Sequence, residues 1–452
     1  GKLQSTIVDF FKLFYTLRFK IVNTMVLLNR LKEVLNKKIG DSKFVVLSHS
    51  EPFVHYYEEG EVKSRKASGG LVAALDPVMS ECGGTWIACG SSEADFDVVD
   101  KDSVIKVPEN DPKYSLKRVR LSKEDISEYL DGVSHSSLWP WCHFAYIRPA
   151  FKEERWPAYV RVNKAFAEAA LEAIGDEKAF VLIHDYHLSL AAKYIKEKRP
   201  DIVTAHFWHI PWPNAEIFKI CPYGKEIVES LLYNNLIGFQ IRYYANNFLD
   251  SVDQTLQARV DRELSTIFYK DQQTLVKEFA ISIDCEQIRE AALGVSEQKI
   301  KSLKKHLGIT AEKIGVGVDR LDYNKGLPEK IAAVDAFLKN NPSWVGKFNL
   351  VQVASPTRLH VPAYGEHIEQ VSSLVDCVNY EWSRGKWKPI IFLNSFVSHE
   401  DVVALYKMAD VCLVTSLHEG MNLVSKEYVT ANDGNGVLVL SKLTGTAREL
   451  TQ

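Results

Sequence analysis

Two basic residues five positions apart, Arg320 and Lys325, lie in GVDRLDYNKGLPEK (317–330), directly after the apolar run IGVGV. A third cation, Arg358, ends SPTR (355–358) after the run FNLVQVA. The stretch VCLVTSLHEGMNLVSKEYV (411–429) reads as a strand, a turn through His418, Glu419 and Gly420, and a helix opening at Met421–Asn422. A helix entered from a glycine-bearing turn leaves backbone N–H groups unpaired at its positive end, which makes a seat for an anion. Lys426 and Glu427, further along that helix, are placed to reach ribose or sugar hydroxyls. Cations beside such a seat can hold a diphosphate and stabilise the negative charge that grows as a bond to phosphate breaks. Asp185 in LIHDYHL (182–188) and His209 in HFWHIPWP (206–213) also follow apolar runs directly.

These residues need strands to carry them. From Phe44 onward, short apolar runs alternate with helical stretches: FVVLSH, AFVLIHDYH, IVTAHFWHI and LIGFQ, then IGVGV, FNLVQVA, IIFLN, VCLVTS and GVLVL. Continuous Val/Ile/Leu strands alternating with helices predict parallel sheets covered on both faces, an α/β class of doubly wound, Rossmann-like domains. A chain of 452 residues exceeds what one core usually supports, so two such domains are expected. The charged, weakly structured segment 284–310 is the expected boundary. It divides the chain into 41–290 and 291–452, after a helical extension over 1–40. Doubly wound domains bind ligands at the carboxyl ends of their strands, here in a central cleft that the two domains face.

A net charge of −3 gives no general attraction to nucleic acid or anionic lipid. The seven cysteines are scattered with no C-x-x-C pair, which predicts reduced core thiols and a cytoplasmic protein. No apolar run is long enough to span a bilayer. The first forty residues carry eight Lys/Arg and two Asp/Glu. Their apolar positions Phe14, Leu17, Ile21, Leu28, Leu31 and Leu35 recur at helical steps. Packing on its own domain or, in a homo-oligomer, on a second copy is the expected use of that stripe; a membrane-surface role is the alternative. Asp95-Phe96-Asp97 has the form of a metal–nucleotide D-x-D but follows no suitable strand, and no metal site is expected. Of the aromatics Trp139, Trp141, Phe144 and Tyr146, only Trp139 is expected to line a site. For Arg320 and Lys325 the plain alternative is a surface ion pair with Asp319 or Asp322, and for Arg358 a structural salt bridge.

Taken together, SGGLVAAL (68–75), LWPWCHF (138–144), HDYHL, FWHIPWP, RLDYNKGLPEK, EGMNLVSKEYV and GVLVLSKLTGTAREL resemble the trehalose-6-phosphate synthase family, the retaining glycosyltransferases of family 20. The matches keep the family's order and run from about residue 44 to 450. The resemblance implies the two-domain GT-B architecture and metal-independent glucosyl transfer from a nucleotide-diphospho-glucose, UDP-glucose by preference, to glucose-6-phosphate. It needs no cofactor. On this reading Arg320 and Lys325 grip the donor diphosphate, Gly70 lets the first domain close on it, and the leaving phosphate takes up the acceptor's proton. Glu427 holds the ribose. Glu419 stands where members usually carry Asp, beside the amides of Gly420, Met421, Asn422 and Leu423. His209 meets the donor sugar, Asp185 and Trp139 shape the acceptor side, and Arg358 faces the acceptor's phosphate or the donor.

Two departures bear on the acceptor. Members carry S-N-R after the first strand, where this chain has Ser48-His49-Ser50, and a Tyr where it has Leu130. A guanidinium–phosphate contact and a phenol hydrogen bond are thereby lost at Ser50 and Leu130, with Arg65, Lys66 and His49 as possible substitutes. Glycerol phosphate, another polyol phosphate or an unphosphorylated compound is therefore the alternative acceptor. A catalytically silent sugar-nucleotide-binding relative is the alternative from another class. Members also continue beyond this point with a C-terminal helix that returns to the first domain.

Overall fold

The computed structural model describes Val8, Asp9, Phe11, Lys12 and Glu33, and residues 42–67, 69–144, 147–432, 434 and 436–451. The apolar stripe expected in the first forty residues lies outside the described residues, as do Ser68 and Tyr146. The chain divides into two units. One holds the described residues through Cys142 together with Arg148–Ser282; the other holds His143–Ile147 and the residues from Ile283 onward. The division falls eight residues ahead of position 290, the end expected for the first domain.

The first unit is built on a ten-stranded sheet. Its strands in chain order are β1 (Lys43–Leu47), β4 (Thr85–Cys89), β5 (Val104–Val107), β6 (Tyr114–Val119), β7 (Ala179–His184), β8 (Val203–Trp208), β9 (Leu236–Phe239), β10 (Arg259–Asp261), β11 (Thr266–Tyr269) and β12 (Gln272–Glu278). A separate hairpin, β2 (Phe53–Glu58) with β3 (Glu61–Lys66), stands outside it. The sheet order is β10-β11-β12-β9-β8-β7-β1-β4-β6-β5, parallel from β12 to β6 with antiparallel edges. All six residues of β7 are buried, as a parallel strand covered on both faces requires. From β1 the chain builds outward through β4 on one side, then returns to add β7, β8 and β9 on the other. The reversal puts a switch point between the carboxyl ends of β1 and β7.

The second unit has five parallel strands: β13 (Lys313–Arg320), β14 (Phe348–Ser355), β15 (Ile390–Leu393), β16 (Val411–Val414) and β17 (Val437–Leu440). Their order, β15-β14-β13-β16-β17, places the reversal between β13 and β16. Two-faced burial is again the physical reason: β14 has seven of its eight residues buried. One apolar layer includes Val316, Val351 and Val353 and packs under Val403, Tyr406 and Tyr428. The opposite layer includes Leu321, Leu327, Ile331 and Leu350. The segment 284–310 corrects its reading as weakly structured. It forms two helices, Cys285–Gly294 and Glu297–Leu307, capped by the side chains of Asp284 and Ser296. Ile288, Ala292 and Leu303 on these helices join the core of the second unit, so most of the charge faces outward while a narrow apolar stripe does the packing.

Candidate active site

In the second unit the polar residues gather at the β13/β16 reversal. Arg320 is the last residue of β13, with its side chain about half exposed. The chain then turns through Tyr323–Lys325, and Gly326 takes the left-handed conformation at φ 64° before the helix Leu327–Asn340. A Cβ on Gly326 would collide with the carbonyl oxygen of Thr415, just past β16. Only glycine permits both the dihedral and that approach. The closeness is used: Thr415 Oγ1 donates to the carbonyls of Lys325 (3.2 Å) and Gly326 (3.1 Å). Leu417 N–H donates to Asn324 O (2.8 Å), and Asn324 Nδ2 donates to His418 O (3.2 Å). These bonds lock the two loops together.

Asp322, fully buried, organises the cations. Its carboxylate accepts from Arg358 Nη1 (3.1 Å) and from Tyr364 OH (3.3 Å), and Arg320 Nη2 lies 4.0 Å away. Arg358 itself takes a φ of 50° and also donates to Tyr364 OH. The alternative of a structural salt bridge for Arg358 thus describes part of its bonding. For Arg320 and Lys325 the alternative fares differently. Arg320 stands loosely beside Asp322, Asp319 is taken by Lys330 at 2.6 Å, and Lys325 pairs with Glu419.

The helix after β16 runs Leu423–Ala431 with Asn422 as its cap, accepting from Ser425 N–H at 2.8 Å. Asn422 N–H donates to Thr446 Oγ1 (2.8 Å), so Asn422 serves the turn itself. Glu427 accepts from Tyr406 OH (3.1 Å); burial, eased only by that bond, lifts its carboxyl from the usual range to about 7. Lys426 corrects its assignment to sugar hydroxyls. It is buried and paired with Glu449 at 2.7 Å, on the inner face of the helix. The ring of His418 stacks on Phe144 at 4.8 Å, and Phe144 N–H donates to its Nδ1 (3.3 Å). Phe144 therefore braces this turn.

In the first unit the β1/β7 reversal carries the other set. Asp185, just past β7, has φ 66°. Its N–H donates to Phe207 O (2.8 Å), and its Oδ1 accepts from His209 N–H (3.1 Å), which ties the ends of β7 and β8 together. His209 Nε2 and His184 Nδ1 are hydrogen-bonded at 2.9 Å. Burial holds both rings neutral, His209 down at about 3 and His184 well below the usual histidine range. Trp139 is buried with its ring 5.9 Å from Tyr186. Gly70 opens the helix Gly70–Cys82 after Gly69 at φ 148°, and no acidic residue sits in that first turn.

At the end of β1, His49 stacks on His187 (5.3 Å) and lies against Tyr129 (5.6 Å). Burial lowers its imidazole to about 4, with only a small opposing pull from Asp131. It brings no positive charge near neutral pH. Ser50 is exposed and Leu130 half-buried. The other proposed substitutes are engaged: Lys66 with Asp76 at 2.6 Å, and Arg65 over the Tyr56 ring at 5.9 Å. A buried guanidinium, Arg118 on β6, is bound to Glu51 (2.9 Å) and Asp95 (3.0 Å). Asp95 of the D-x-D therefore belongs to a buried ion network, and Asp97 accepts from Tyr57 OH. Among the described residues no group of three His, Cys, Asp or Glu is placed to hold a metal ion.

The family model for glycosyltransferase family 20 matches residues 42–452. The chain belongs to glycosyltransferase family 20. It is 36% identical over 419 residues to the trehalose-6-phosphate synthase of Mycolicibacterium gilvum, covering 90% of this chain and 82% of that one. An E. coli structure bound with UDP-2-fluoro glucose superposes with a TM-score of 0.80 at 29% identity, covering 91% and 86% of the two chains. An alpha,alpha-trehalose-phosphate synthase (UDP-forming) from Burkholderia xenovorans, in complex with glucose-6-phosphate, also gives 0.80, at 28% identity over 90% and 87%. As a family 20 glycosyltransferase the chain is an enzyme with two Rossmann-like domains, and its polar residues gather at the reversal of each sheet. Tyr364 and Tyr406 escaped the sequence reading because their carboxylate partners, Asp322 and Glu427, lie 42 and 21 residues away, and Ser416 because its bond to Glu419 depends on how the turn folds. Asp322 was named there only as an ion-pair partner in the plain alternative for Arg320 and Lys325.

Proposed function

We propose that the chain transfers glucose, with retention of configuration, from UDP-glucose to glucose-6-phosphate, giving trehalose-6-phosphate. The observation that carries this reading is the gathering of Arg320, Lys325 and the capped start of Leu423–Ala431 at one sheet reversal of a family 20 chain. Donor atoms of those residues suit a diphosphate, and Arg320 offers a half-exposed guanidinium to the charge that develops on it. His209 has Nε2 committed to His184, which leaves Nδ1 as its ring nitrogen for a sugar hydroxyl. Asp185 positions His209 through its backbone, so its acceptor-side role is at least partly one of placement. In this reading Gly70 serves the diphosphate, Trp139 lines the acceptor side, and Arg358, steadied by Asp322, faces the acceptor's phosphate or the donor. The reaction draws on no metal or cofactor in this reading. Seven free thiols support a cytoplasmic setting, and no helix among the described residues is long and apolar enough to cross a membrane. Self-association through the N-terminal segment remains part of the proposal.

The test is release of nucleoside diphosphate when UDP-, GDP- and ADP-glucose are each offered with glucose-6-phosphate. The expected result is UDP release that requires glucose-6-phosphate, with a non-reducing disaccharide phosphate as product. UDP-glucose turnover that ignores glucose-6-phosphate would move the reading to a second acceptor. The neutral, stacked His49 beside the exposed Ser50 favours that second reading, because together they put no charge where a phosphate would sit.

Glu427 gives the reading a pH signature. A ribose diol donates to a carboxylate, so donor binding needs Glu427 ionised, whereas burial holds its proton up to about pH 7. UDP-glucose affinity should therefore rise about tenfold between pH 6 and pH 8, a span that titrates most of such a group. Without ligand the sign is opposite: between about pH 4.5 and 7 the folded chain keeps a proton the unfolded chain has lost, so this group subtracts stability as pH rises. Calorimetric titration of wild type and Glu427→Gln checks both. An equally steep affinity rise in the glutamine variant would remove Glu427 from the role.

A further inference from the structure

Glu419 closes onto the lysine that the donor reading assigns to the diphosphate. Its Oε1 is ion-paired with Lys325 Nζ, while Oε2 accepts from Ser416 Oγ (2.8 Å) and Asn422 Nδ2 (3.0 Å). Both members of the pair are almost fully shielded, with side chains 10% and 13% exposed. An ammonium, a hydroxyl and an amide converging on two carboxylate oxygens form the kind of donor set that phosphate oxygens take. The two loops involved are those locked together at the β13/β16 reversal, so the carboxylate sits within the anion seat.

We propose that Glu419 is a resident counter-anion for Lys325: the donor's diphosphate must displace it, and it retakes the lysine as the nucleoside diphosphate leaves. The inference rests on the donor reading above. It follows from charge. A diphosphate arriving beside Lys325 meets a negative group already there, in a shielded setting where like charges a few ångströms apart repel strongly. The cost falls on substrate and product alike, so it lowers affinity for the spent nucleotide and hastens its release. Glu419 thus acts as a positioning residue with a price set in binding: it holds Lys325 extended toward the seat when the seat is empty.

The experiment is calorimetric binding of UDP to the full chain, with wild type beside Glu419→Gln. UDP carries no sugar, so any contact between Glu419 and the donor sugar does not enter. Glutamine keeps the shape and the bonds to Ser416 and Asn422 but removes the charge, and UDP should bind about tenfold more tightly and dissociate more slowly in stopped flow. Unchanged or weaker UDP binding would overturn the proposal, since a purely structural partner of Lys325 could only loosen the site when altered. If Glu419→Gln shows no cooperative melting, Glu419→Asp carries the test. Its carboxylate is drawn back from Nζ by one methylene, and UDP binding should again tighten, by less. Wild-type chain that takes up no UDP overturns the donor reading itself, and the proposal with it.

Discussion

Arg320→Ala should lower kcat/KM for transfer by about 10²–10³-fold, the scale of losing one donor aimed at developing charge. The side chain ends β13 about half exposed, and its ion pair with Asp322 is loose at 4.0 Å. Asp322 keeps Arg358 and Tyr364 as partners when so loose a contact is removed, so the variant should melt close to wild type while its chemistry fails. The loss should sit in kcat as well as KM, because the charge on the leaving diphosphate grows in the transition state. Steady-state kinetics with UDP-glucose and glucose-6-phosphate, beside thermal melting, check both halves. A kcat/KM within threefold of wild type would end the assignment of Arg320 to the leaving group.

Ser50→Arg should act in the opposite direction, lowering KM for glucose-6-phosphate about ten- to a hundredfold. A charge-assisted hydrogen bond to phosphate contributes about 1.5–3 kcal/mol, which converts to that range. The position can take it. Ser50 is exposed, its neighbour His49 is an uncharged stacked ring, and the Glu51 carboxylate is already bound to Arg118 and Ser91, so it does not capture the new guanidinium. KM for unphosphorylated glucose is the control and should not move. If KM for glucose-6-phosphate stays put too, the serine is not what distinguishes this acceptor half.

The nine apolar runs read from the sequence are strands in the structure; β7 and β14 are largely apolar because both their faces are buried, whereas β17 leaves Val437 and Val439 exposed. Strands carrying charge or polar residues were harder to see. YSLKRV is β6, with Lys117 and Arg118 buried. Arg118 is tolerable there only through Glu51 and Asp95, 67 and 23 residues earlier. The β10–β12 meander at the sheet edge was missed because its polar positions face outward and blur the pattern. At the site, the strand-end location of Arg320, Asp185 and His209 was legible from what precedes them. The Lys325–Glu419 and Asp322–Arg358 pairs were not, since they depend on the order in which strands lie in the sheet. Lys426 and Glu427 looked alike as adjacent polar residues, but successive helix positions point about 100° apart. One meets Glu449 and the other Tyr406.

The bonds that join the 322–326 turn to the 415–419 turn also bear on how such a protein can be recombined. A chimaera with its crossover anywhere between those turns inherits one loop from each parent. Each loop then meets a backbone and side chains to which its own Asn324, Lys325, Thr415 or Glu419 was not fitted. Such hybrids should lose nucleotide binding even where every individual residue is acceptable in one parent. Crossovers placed before residue 313 or after 446 keep the set whole, so donor chemistry travels between relatives as one inherited block.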